Sequence, residues 1–129
     1  SLVYLCPDAD FKDGYAAAEK LINDYGTNID ALHCITDLTA IGAINYFNEK
    51  SIRIPKEIAI LGFSNWFMSS AITPSLTTVN QPGFEMGKKA FKQLFKELKA
   101  KKKKQPIIPK IIELETSLVQ RNSTRAIES

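Results

Sequence analysis

The chain has 129 residues, 44% of them hydrophobic and 24% charged, with a formal net charge of +3. That is the size and composition of one soluble globular domain, long enough to bury a core without a metal or disulfide staple. Its longest apolar runs, such as Leu2–Cys6 and Ile58–Leu61, fall far short of the ~20 residues that cross a bilayer, so no membrane partner is expected.

Leu2–Cys6 reads as a strand buried on both faces and ended by Pro7. Asp10 is placed to cap a helix whose apolar stripe is Phe11, Tyr15, Ala18, Leu21/Ile22 and Tyr25, with Gly26 as its stop. Ala31–Ile35 reads as a second strand. Asp37 is placed to cap a second helix carrying Leu38, Ile41, Ile44 and Phe47 on one stripe. Ile58–Phe63 reads as a third strand. This β-α-β-α-β order predicts an α/β fold, a parallel sheet with right-handed crossovers and helices on both faces.

Beyond it the pattern changes. Ser64–Pro74 is expected to be a loop with one helical turn near Trp66–Ser70, followed by a short strand at Leu76–Val79. Phe84, Gly87, Phe91, Leu94/Phe95 and Leu98 mark a long amphipathic helix. Ile111–Thr116 alternates as an edge strand does, and residues 122–129 read as a frayed tail.

Charge is segregated: residues 88–110 carry ten lysines against one glutamate, while residues 1–87 are net acidic. The lysines fall on the helix face opposite Phe84, Phe91, Phe95 and Leu98, with no aromatic among them to stack a base, so a solvated face is preferred over a nucleic-acid site. Cys6 and Cys34 lie in strand-like runs and are expected to be buried, reduced thiols, which goes with a cytoplasmic protein. One histidine and no Cys-x-x-Cys leave no metal spacing, and no cofactor loop occurs. Gly62-Phe63-Ser64 is half of a hydrolase nucleophile elbow, but Trp66 replaces the second glycine. The lone His33 precedes the serine and is expected to be a packed strand residue, so no enzyme activity is expected. There is no basic-then-apolar leader, and Ser1 stands where a Met is expected, so the true start is expected to be missing or replaced.

Ligands of open parallel sheets bind beyond the carboxyl ends of the strands. Thr36 and Asp37 follow the second strand, Ser64 and Asn65 the third, and Phe11 comes after the first. Polar groups beside one ring suit a small hydroxylated ligand.

Five segments carry a resemblance. Ile35-Thr36-Asp37-Leu38-Thr39-Ala40-Ile41-Gly42-Ala43 resembles the "a-N-D-x-x-A-x-G-A" segment of the lac/galactose repressor family. Ile54-Pro55 through Gly62-Phe63 is similar to its "v-P-x-d-i-s-v-v-G-f-D", and Pro74-Ser75-Leu76-Thr77-Thr78-Val79-Asn80-Gln81-Pro82 to its "P-x-L-T-T-v-x-Q-p". Phe84-Glu85-Met86-Gly87 matches "y-e-m-G", and Leu118-Val119-Gln120-Arg121-Asn122-Ser123-Thr124 the closing "L-v-x-R-x-S-T".

The resemblance implies a type I periplasmic-binding-protein-like fold. Residues 1–78 would be the C-terminal lobe of an effector-binding domain. Residues 79–107 would be interlobe crossings and a helix of the N-terminal lobe, and residues 108–129 the final strand and tail. It further implies a transcriptional regulator that senses a small-molecule effector, a sugar, through Thr36, Asp37, Ser64, Asn65, Phe11 and Gln81. A homodimer would form through Leu38, Ile41, Trp66, Phe67 and Ser70, and operator DNA would be held by a head outside this chain. Thr36 stands for the family's Asn and Ser64 for its Asp, and the Asp10–Gly14 loop is shortened. A solute-binding protein of a sugar transporter is the alternative on the same fold. Without its sheet, the apolar face of the helix at 84–98 is expected to drive self-association or exchange onto another chain.

Overall fold

The computed structural model describes residues 3–126. They divide into two compact units: residues 3–80 with 117–126, and residues 81–116.

The first unit is α/β. Helix α1 (Phe11–Tyr25) begins at Asp10, whose carboxylate accepts from Asp13 N, and ends at Gly26, which has φ 62° and donates its N–H to Ile22 O. Strand β1 (Ala31–His33) leads into helix α2 (Asp37–Glu49). The cap of α2 is Thr36, not the expected Asp37: the Thr36 hydroxyl accepts from Thr39 N, which frees the Asp37 carboxylate for other donors. Strand β2 (Ala59–Ser64), a 3-10 turn at Phe67–Ser70 and strand β3 (Thr77–Asn80) follow, and strand β4 (Ser117–Val119) closes the sheet. The sheet order is β1-β2-β3-β4, parallel from β1 to β3, with β4 antiparallel to β3.

The core lies between α2 and the sheet: Phe47, Ile44, Ala40 and Ala43 meet Ile58, Ile60, Leu76 and Cys34. Helices α1 and α2 approach closely because two glycines remove the Cβ at the crossing. A Cβ on Gly14 would overlap the Thr39 carbonyl, and one on Gly42 the Phe11 carbonyl.

Further expectations are corrected. Val3–Cys6 forms no ladder; Val3 and Leu5 are 84% and 91% exposed, and Leu2 lies outside the described residues. Ile111–Thr116 pairs with no strand among the described residues, and pairing begins at Ser117. Asn122–Arg125 is no frayed tail. Ser123 is fully buried, its hydroxyl donates to Ile60 O and accepts from Thr77 N, and Ile60 N donates to Ser123 O. Residues 127–129 lie outside the described part. His33 is on β1 but exposed rather than packed, and of the two free thiols Cys34 is buried and Cys6 only half-buried.

The second unit is helix α3 (Gly83–Lys102) with the irregular segment that follows it. No residue of α3 is buried. A shallow apolar groove between them is lined by Met86, Ala90, Leu94, Ile112 and Leu114. Among the described residues no helix is long and apolar enough to cross a membrane.

Candidate functional site

Strands β1 to β3 run parallel, so their carboxyl ends share one edge. Three non-glycine residues near that edge take left-handed backbone: Ala9 (φ 51°), Ser64 (φ 130°) and Asn65 (φ 53°). Such conformations cost about 1–3 kcal/mol each and persist only where the surroundings hold them. Here the surroundings are a polar network.

Asp37 is its centre. It is 0% exposed, and its carboxylate accepts from Trp66 N at 2.7 Å and from the hydroxyls of Ser69 and Thr78. These donors pin the N-terminus of α2 to the loop after β2 and to β3. Gly62 lies directly beneath: a Cβ there would strike the Asp37 carboxylate and Leu76. Asp37 is therefore turned into the protein.

Thr36 is also committed. Its hydroxyl accepts from Thr39 N, lies 2.7 Å from the Thr39 hydroxyl and 3.1 Å from Ala9 O, and the Thr39 hydroxyl is 3.0 Å from Ala9 O. Two hydroxyl protons serve these three oxygens, so Thr36 has none left to donate and can only accept. The two threonines instead hold the left-handed Ala9, two residues before Phe11. Phe11 opens α1 and is partly exposed.

Ser64 ends β2, half-buried, directly opposite Asn80 in the ladder. Asn65 N donates to the Thr78 hydroxyl at 3.2 Å, and Asn65 Nδ2 to Asn80 Oδ1 at 3.0 Å. Arg121 Nη2 donates to Asn65 Oδ1 at 2.8 Å, while its Nη1 donates to Leu76 O at 2.7 Å. Hydrogen bonds thus link Asp37, Asn65 and Trp66, and Thr36 joins them through the chain. Gln81 belongs to the second unit and is exposed, its carbonyl accepting from Gly83 N.

The residues expected at a dimer seam differ in exposure. Trp66 and Phe67 pack edge to face at 4.9 Å between ring centres, and Phe67 is 72% exposed. Leu38 is partly exposed, Ile41 half-buried, and Ser70 exposed with its hydroxyl on Phe67 O. Among the described residues no three His, Cys, Asp or Glu side chains gather as metal ligands.

Sequence reasoning missed Ser69, Thr78, Asn80 and Arg121. A signal for one of them, Thr78, existed: a carboxylate at the start of a buried helix needs donors, and a hydroxyl on a buried strand supplies one.

A family model described as a periplasmic binding protein-like domain matches residues 2–124. The chain is 32% identical over 113 residues to the HTH-type transcriptional regulator RegA of Clostridium saccharobutylicum, covering 88% of this chain and 32% of that protein. It is 32% identical over 115 residues to the HTH-type transcriptional repressor PurR of Pasteurella multocida, covering 89% of this chain and 33% of that one. The chain spans about a third of the length of the curated relatives it matches. Among solved structures, the transcriptional regulator CelR in complex with cellobiose superposes with a TM-score of 0.80 at 25% identity, over 88% of this chain and 33% of that one. A LacI-family transcriptional regulator from Enterococcus faecium with bound ribose superposes at 0.76 and 27% identity, over 89% of this chain and 40% of that one.

Proposed function

We propose that this chain, which belongs to the periplasmic binding protein-like family in its LacI branch of transcriptional regulators, is the effector-sensing part of such a regulator and responds to a sugar. The observation that carries the reading is the left-handed Ser64–Asn65 corner, held at the carboxyl end of parallel strands. Strain of this kind concentrates where a ligand is met. Phe11 offers a ring for a sugar face to stack on. Thr36 offers an acceptor for a hydroxyl, and Ser64 and Asn65 contribute polar contacts. Asp37 acts from beneath by fixing the loop that carries Asn65 and Trp66. Gln81 enters on the resemblance alone, since it belongs to the second unit. The protein works without catalysis, in the cytoplasm, as a homodimer joined through Leu38, Ile41, Trp66, Phe67 and Ser70. Operator DNA is bound by a head outside this chain. The sugars named with two structural relatives support this ligand class.

The test is a thermal-shift screen of ribose, cellobiose, other sugars, nucleobases and nucleosides on the full-length protein. A ligand at a hundredfold excess over its Kd stabilises by about 2.7 kcal/mol, a readily measured shift. A sugar should raise the melting temperature, and Ser64→Ala and Phe11→Ala should reduce that rise. A rise produced only by nucleobases would replace the ligand class, and a sugar response untouched by both variants would move the site elsewhere.

A further inference from the structure

The chain of amides at the edge has a polarity that one residue dictates. Arginine only donates hydrogen bonds, because its guanidinium carries five N–H groups and no acceptor. Arg121 is locked by a second bond from Nη1 to Leu76 O, and its own N–H donates to the Thr77 hydroxyl, so the guanidinium cannot swing away. Nη2 therefore meets an oxygen of Asn65 and cannot meet its nitrogen. With Oδ1 turned to Arg121, the Asn65 Nδ2 turns to Asn80, which must answer with its own oxygen. Among the described residues no hydrogen bond uses Asn80 Nδ2. Both of its N–H groups are free at the end of β3, opposite Ser64.

We propose that Asn80 is a specificity-determining ligand contact and Arg121 its positioning residue, acting through Asn65 so that this part of the edge presents N–H donors to an acceptor oxygen of the effector. The proposal rests on the effector reading above. Asn65 then has a lesser part in binding, because its oxygen and one N–H are consumed inside the protein and a single N–H is left for a ligand.

Two measurements on the full-length protein test it. The first needs no ligand. In 15N spectra of the side-chain amides, Asn65 should show one slowly exchanging proton and Asn80 two fast ones, and Arg121→Lys should abolish the slow proton. Slow protons on Asn80 instead, or a slow Asn65 proton that survives Arg121→Lys, would overturn the assigned orientation. The second titrates D-ribose and cellobiose into wild type and Asn80→Asp. That substitution keeps the oxygen that Asn65 needs and removes both donors. A sugar that binds wild type should bind Asn80→Asp about tenfold or more weakly, with the unliganded melting temperature unchanged. Equal binding to both would overturn the contact while leaving the sugar reading intact. Binding of neither sugar to wild type would count against that reading, and the amide spectra would still decide the orientation.

Discussion

The Asp37 carboxylate takes three donors, two of them from the segment Trp66–Ser69 that borders the proposed edge. Removing it strands Trp66 N and the hydroxyls of Ser69 and Thr78, of which Ser69 and Thr78 are fully buried. Hydrogen bonds to a charged group are worth about 1.5–3 kcal/mol, and unsatisfied buried donors add to the loss. Asp37→Ala should therefore lower stability by roughly 3 kcal/mol or more in urea titrations; a loss within about 1 kcal/mol would mean that the network is idle. A second residue-scale prediction concerns the buried thiol. Burial pushes Cys34 from 9.0 up to about 12. Well below pH 9 it is neutral folded and unfolded and contributes no pH dependence. Above pH 9 only the unfolded chain ionises, so stability should fall as pH rises toward 12, a slope that Cys34→Ala should reduce. At pH 8 iodoacetamide should label Cys6 before Cys34, as read by peptide mass spectrometry. At this scale the sequence showed which residues gather at the strand ends but not which way they face. Thr36 and Asp37 are adjacent and both able to cap, and only distant partners, Ala9 on one side and Thr78 and Ser69 on the other, separate their roles. Arg121, far along the chain from Asn65, carried no local cue to its partner.

Among elements, the α1–α2 crossing is set by Gly14 and Gly42, each under a carbonyl of the opposite helix. Gly14→Ala or Gly42→Ala adds a methyl where backbone already stands and should cost about 1–3 kcal/mol, measured by thermal or urea unfolding. Because α1 opens with Phe11 and α2 with the residues after Thr36, either variant should also weaken sugar binding. Helix α1 was legible end to end because its cap, its apolar stripe and its glycine stop all act within the element. Strands β1, β2 and β3 were legible to within a residue or two. Val3–Cys6 and Ile111–Thr116 were not. An apolar or alternating run states a wish for burial, while pairing depends on a partner strand far away in sequence. The tail was misread for the same reason, since Ser123 is held by Ile60 and Thr77, residues the tail's own composition does not reveal.

At the scale of the molecule, helix α3 exposes Phe84 at 82% and Phe91 at 68%, with Phe95 and Leu98 also open. Contiguous apolar surface of this kind draws a partner in water. Light scattering on the isolated chain should therefore give a mass above 14.4 kDa at high concentration, and Phe91→Lys with Phe95→Lys should restore the monomer. A clean monomer of the unaltered chain would contradict this. Effector binding at the strand ends is tested most directly by hydrogen–deuterium exchange on the full-length protein, with and without whichever sugar raises its melting temperature. Protection should concentrate at residues 8–11, 64–66 and 80–81, around the proposed ligand. Protection confined to other segments, or none at saturating sugar, would contradict it.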